Sequence, residues 1–365
     1  MADAVDWEVA RSVAGRAARR GAPTPAYELR ALEADFRALT ARAEAMVTEE
    51  TGLVPDGPAR ARVTDRAGWV DVNIASFQRL LRPVTEKLAE AATRSSGPLS
   101  LPPAVSRRVA GTQVGLLLGW MSSRVLGQYD QLLIEDDRAD EQDVVVFVGP
   151  NVLDLERRYG FPPHEFRLWL ALHEVTHRAQ FTGVPWMRAH FLGLVEGTLA
   201  GIDPDPRRLL DAVGRAARAV LAGRNPLDDG GLLGLVATEE QRGALDRIGG
   251  LMSLLEGHGD VTMDRAGADA VPSAARFSRT LHERRQRRGP ARVLTSLIGL
   301  DAKLRQYEEG ERFIDAVEAV GGPELLARVW EGPDALPSWP EIRDPERWVR
   351  RMAPDHDGAG VTAPA

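Results

Sequence analysis

Residues 169 to 181 read WLALHEVTHRAQF, and within them His173, Glu174 and His177 have the types and spacing that could do chemistry. A helix turns about 100° per residue, so positions four apart stand one turn above the other on the same face. His173 and His177 can therefore aim both imidazoles at one ion. Glu174 falls beside that ion rather than beneath it, where a carboxylate could take a proton from a metal-activated water. The 365 residues include no cysteine, so a metal must be held by His and carboxylate, and cysteine nucleophiles are excluded. There are only seven histidines, which makes two of them flanking a Glu at helical spacing a specific signal.

A catalytic zinc takes three protein ligands and leaves a position for water, so a third ligand is needed. Glu256, in MSLLEGHGDVTMD at 252–264, is the favoured candidate. Asp260 follows it by one helical turn and could accept the free ring N–H of a ligand histidine, fixing its tautomer. Gly257 and Gly259 weaken a helix there, though they would let another element approach closely. Glu196, in FLGLVEGTLAG, is the rival, 19 residues after His177 (196 − 177). It requires a short turn and a return helix, and its plainer reading is a solvated or capping Glu. Zinc would lower the pKa of its bound water from about 15.7 toward about 7. Glu174 would act as general base and then as general acid. An oxyanion needs a donor besides the metal, and His258, His282 and Tyr307 are candidates, each with a structural role as its favoured reading.

Helices must carry this constellation. Two prolines open PPHEFRLWLALHEVTHRAQF, as suits a helix start. Ala-, Leu-, Arg- and Glu-rich periodicity predicts helices across VDWEVARSVAGRAARR and PAYELRALEADFRALTARAEAMVTEETG. Further helices are expected around 70–94, 103–126, 206–222, 238–256, 290–304 and 310–330. Pro/Gly clusters such as VPDGPAR and GIDPDP separate the helical stretches. One stretch differs. YDQLLIEDDRADEQDVVVFVGPN, 129–151, reads as a hairpin with an acidic tip, in which VVVFV is β-branched and aromatic. The fold expected is mainly α with a small β-hairpin or sheet. An N-terminal helical region, 1–125, would pack on a catalytic region, 126–355, with a mobile tail at 356–365. One compact unit over 5–354 is equally defensible.

The composition, 44% hydrophobic and 27% charged with a net charge of -7, belongs to a globular chain and argues against general affinity for nucleic acid or acidic membrane surfaces. No secretory signal or membrane span is visible, and the cytoplasm is the expected location. The Arg-rich RFSRTLHERRQRRGPAR at 276–292 could recognise a carboxylate, a phosphate or an acidic partner, but a solvated helix end is favoured.

Several of these stretches resemble a known family. GPNVLDLERRYGFPPHEFRLWLALHEVTHRAQFTGVPWMRAHF, SLLEGHGDVTMD, GLDAKLRQYEEGERF, SSRVLGQYD and WVRRMAP are similar to the zincin-like metallopeptidase family of actinobacterial proteins. Its members carry labels such as hydrolase and coenzyme F420 biosynthesis associated. The resemblance spans about residues 5–354. It implies a zincin-like, largely helical fold with His173, Glu174 and His177 on the active-site helix, and Glu256 fits its downstream Glu-Gly-His segment. It names no substrate. The wider zincin resemblance suggests that VVVFV, 144–148, could be an edge strand that pairs with an extended substrate, against the alternative of a plain core or edge strand. The function expected is a zinc metallohydrolase, peptidase-like, acting on a peptide or small-molecule substrate. The alternatives are a zincin-fold binding or scaffold protein without turnover, and a metal-dependent small-molecule enzyme linked to coenzyme F420. Retention of Glu174 favours an enzyme, because a purely structural site has no use for a base.

Overall fold

The N-terminal helices form where their caps and small residues allow. In the computed structural model, which describes residues 4–20, 23–94, 102–129, 143–200, 239–286 and 300–354, helix α1 (Trp7–Ala18) starts at Asp6, whose carboxylate accepts the Val9 N–H at 3.1 Å. Helix α2 (Ala26–Thr51) ends at Gly52, left-handed at φ 69°. Helix α3 (Arg66–Arg94) and helix α4 (Pro103–Ser122) follow. Helix α1 lies very close to α4. A Cβ on Gly115 would stand 2.6 Å from the Ala10 carbonyl oxygen, and Gly111 and Gly119 continue the small-residue stripe. Ala10 and Ala14 are fully buried there, beside Trp69, Ile74 and Leu118.

A three-stranded sheet stands beside these helices. Strands β1 (Arg60–Thr64), β2 (Gly127–Tyr129) and β3 (Val144–Val148) are ordered β1-β3-β2, with β1 parallel and β2 antiparallel to β3. The expected hairpin is therefore β2 and β3, and its acidic tip lies outside the described residues. VVVFV is the middle strand with all five residues buried, not an edge. Paired on both sides, it has no free edge for a substrate. Phe147 stacks on Phe36 of α2 with ring centroids 3.8 Å apart. Gly149-Pro150 does end β3, but it also starts helix α5 (Gly149–Tyr159), with proline in the first turn.

Helix α6 (Pro163–Thr182) packs against α2, α5, β2 and β3. It is buried nearly all round, with Phe166, Leu168, Leu170, Leu172 and Phe181 among its core residues. Helix α7 (Met187–Ala200) follows α6 in the chain and carries Glu196. Helix α8 (Glu239–Gly267) runs unbroken through Gly257 and Gly259, further than the periodicity at 238–256 predicts. Helix α9 (Ala274–Gln286) brings Phe277 to within 4.8 Å of Phe161 and 5.2 Å of Phe166, ring to ring. The expected helix at 206–222 and the tail lie outside the described residues, as does most of 290–304.

The chain divides into two compact units. The first comprises Met1–Gly183, Leu199–Pro206 and Thr262–Arg287, and the second Val184–Thr198, Arg207–Val261 and Arg288–Ala365. The second has its own core. Helix α10 (Leu300–Ala327), broken at Gly321 and Gly322, contributes Phe313, Ile314 and Val317. These meet Leu254 of α8, Ile342 of α11 (Trp339–Arg343) and Trp348 of α12 (Pro345–Met352). The glycine in Glu-Gly-His explains why α8 can continue. A Cβ on Gly257 would lie 2.4 Å from the Gly310 carbonyl carbon, and one on Gly310 2.1 Å from the Ser253 carbonyl oxygen. Close helix crossing offsets the poor helix propensity of glycine.

Candidate metal centre

His173 and His177 are half-buried on α6, and their rings meet edge to face with centroids 4.6 Å apart. Their Nε2 atoms converge to 3.3 Å. Two nitrogens at zinc–nitrogen distance from one tetrahedral ion stand roughly 3.3 Å apart, so the pair is set at the spacing a single zinc needs. The same spacing suits an N–H···N bond when no ion is present. The other nitrogen of His177, Nδ1, lies 3.0 Å from Oε1 of Gln180, a fully buried residue one turn further along.

Glu174 turns toward the sheet. It is 8% exposed, and its Oε2 accepts the Tyr129 backbone N–H at 2.9 Å. The register explains this bond. The Val148 N–H donates to the Leu126 carbonyl, so in the antiparallel ladder the backbone groups of Gly127 and Tyr129 point away from β3, to the outer edge of β2. A Cβ on Gly127 would lie 2.7 Å from Glu174 Oε1. Only glycine leaves room for the carboxylate here.

Arg178, directly after His177, is fully buried. Its Nη2 and Nε grip Asp143 at 2.6 and 2.9 Å, Nη1 meets Glu44 at 2.5 Å, and Nη2 reaches the Gly57 carbonyl at 3.0 Å. Burial alone would lower its pKa, but the bonds and charges of Asp143 and Glu44 outweigh burial and raise it. Asp143 also accepts the Tyr129 hydroxyl at 3.1 Å and sits at φ 54°, a left-handed position that Asp tolerates. A circuit therefore leaves α6 at Arg178, passes Asp143 and Tyr129, and returns at Glu174. It fixes the Glu174 carboxylate against the strand edge.

The remaining predicted residues are placed as follows. Glu256 on α8 is 4% exposed, with Asp260 one turn on and half-buried. His258 is buried with its ring against Trp330, centroids 5.1 Å apart, about 200° round the helix from Glu256. Glu196 is exposed on α7. His282 is half-buried on α9, and the Tyr307 side chain lies outside the described residues. Of the Arg-rich stretch, Arg276 donates to the Tyr159 carbonyl at 2.6 Å and lies over the Phe161 ring, which makes it part of the local packing. Gln180 and Arg178 are absent from the sequence reading. Their positions, three and one residues beyond the second histidine, are the signal that could have marked them.

The chain belongs to the zincin-like metallopeptidase family, whose profile matches residues 5–349. The sequence is also similar to a solved structure from Chloroflexus aurantiacus, provisionally assigned as a hydrolase and described as having a novel fold. The two are 33% identical with a TM-score of 0.70, and the alignment covers 98% of this chain and 100% of the other. No match is found among curated proteins. At the level of the family, these findings support a hydrolase. No described helix is long and apolar enough to cross a membrane.

Proposed function

We propose that the chain is a zinc-dependent hydrolase, peptidase-like, in which His173, His177 and Glu256 hold the metal and Glu174 is the base. The observation that carries this reading is the convergence of the two Nε2 atoms at 3.3 Å with Glu174 buried between their positions on the same helix. Among the described residues, the His/carboxylate group that could hold a metal ion is His173, His177 and Glu256. Glu256 is 4% exposed, and a buried carboxylate is stabilised by a cation. Asp260 then takes the Nδ1–H of a ligand histidine.

Zinc, when bound, supplies Lewis acidity toward a water or a substrate carbonyl. Glu174 removes a proton from the attacking water and returns it to the leaving group. The Tyr129 N–H holds one carboxylate oxygen and so restrains the group that would make that transfer. An extended substrate would lie along the outer edge of β2, where Gly127 directs its backbone groups, rather than along β3. His282 and Tyr307 are the candidates for a second donor to the developing oxyanion, because His258 turns to Trp330, about 200° round α8 from Glu256.

The test is metal analysis of the purified chain beside Glu256→Ala and Glu174→Gln. About one zinc per chain is expected in the parent and in Glu174→Gln. Glu256→Ala should lose most of it, and Glu174→Gln should lose hydrolysis of a peptide library. A parent chain that takes up no zinc even when supplied with it would sink the proposal.

A further inference from the structure

His177 has a buried amide at its back, 3.0 Å from Nδ1, while its Nε2 faces the Nε2 of His173. A ring nitrogen that binds a metal carries no proton, so if Nε2 is the ligand the proton belongs on Nδ1 and needs an acceptor there. Gln180 Oε1 is that acceptor. Gln180 has no exposure to solvent, so water does not compete for the bond. Thr176, the neighbouring buried polar residue on α6, donates its hydroxyl to the Leu172 carbonyl at 2.8 Å.

We infer that Gln180 is a positioning residue that holds His177 in its Nδ1–H tautomer and presents Nε2 to the metal. This rests on the zinc reading given above. The choice of acceptor has a chemical consequence. Histidine ligands commonly give their second N–H to a carboxylate, which raises ligand basicity. A neutral amide fixes the ring with less transfer of electron density, so a metal held by His177 retains more of its Lewis acidity. It also avoids a further negative charge near Glu174 and Glu256, both already buried.

Zinc dissociation constants, measured by chelator competition for the parent, Gln180→Leu and Gln180→Glu, test the inference. Visible spectra of the cobalt-substituted proteins give a second readout. Gln180→Leu should bind zinc roughly 10–100-fold more weakly. Gln180→Glu should bind more tightly than the parent and shift the cobalt bands. Parent-like affinities and spectra in both variants overturn the role of Gln180 while leaving the zinc reading intact. A parent that binds no zinc overturns both. Should Gln180→Leu fail to fold, nitrogen-15 NMR of the zinc-loaded parent decides the matter. A protonated Nδ1 on His177 is expected, and a protonated Nε2 overturns the inference.

Discussion

Helix α6 and the α1–α4 pair are buried in the same unit by opposite means. Helices α1 and α4 meet through Ala10, Ala14, Gly111 and Gly115, and a backbone bond from the Asp6 N–H to the Arg107 carbonyl at 3.1 Å joins their ends. Along the rest of the contact the two backbones are held by close approach of small residues. Helix α6 buries Glu174, Thr176, Arg178 and Gln180 among its leucines and phenylalanines. Buried polar groups cost several kcal/mol unless paired, and each of these four has a named partner at hydrogen-bond distance. The difference shows the helix that carries the two histidines buried through paired polar groups, where α1 and α4 are buried through small residues.

The comparison can be broken most sharply at Arg178. Arg178→Met leaves Asp143 and Glu44 without their cation, and a loss of about 3–5 kcal/mol of stability is expected from urea unfolding. A loss below about 1 kcal/mol would mean that the buried charge network is not what holds α6. Gly115→Val probes the other region. Overpacking against Ala10 and Val13 should cost about 1–3 kcal/mol, while zinc content per folded chain stays at the parent level. A parallel loss of zinc would deny that the two regions are independent.

Tyr129→Phe removes one link of the circuit, the hydroxyl bond to Asp143, and about 1 kcal/mol is expected. Differential scanning calorimetry should show the small shift, and catalytic activity should fall further than stability if the circuit positions Glu174. The smallest effect lies in the second unit. Burial alone would raise the pKa of Glu341, but its bonds to Arg351 and to Ser338 at the start of α11 lower it overall. The unfolded chain therefore binds this proton more readily. Its contribution to stability is complete above an unfolded carboxylate pKa of about 4.3 and is lost as the pH falls through the lower folded value. Glu341→Gln should flatten that part of the acid-unfolding curve, and an unchanged curve would remove Glu341 from the account.

How much of this was legible in the sequence varies with the range of the interaction. Helix α6 and its metal motif show in local periodicity, as does β3, whose five residues are all β-branched or aromatic. The continuation of α8 past Gly257 is a tertiary effect, because the close approach of Gly310 is what favours glycine there. Helix α5 hides behind Gly149-Pro150, a pair that reads equally well as a strand stop and as a helix start. Strand β1 has one strongly apolar residue, Val63, preceded by two arginines, Arg60 and Arg62, and its partner is far away in sequence. Arg178 and Gln180 look like ordinary surface residues until the fold surrounds them.

The sheet order has a consequence for how the chain is made. Arg60 of β1 pairs with Val144 of β3, 84 residues later (144 − 60). At roughly 5–20 residues per second of synthesis, β1 is complete roughly 4–17 s before its partner exists. Through that interval it is a strand with no neighbour, the form most prone to pair with the wrong chain. Its arginines, Arg60 and Arg62, repel a second copy of the same segment during that wait. The charges that hide β1 from a reader of the sequence also hide it from other nascent chains.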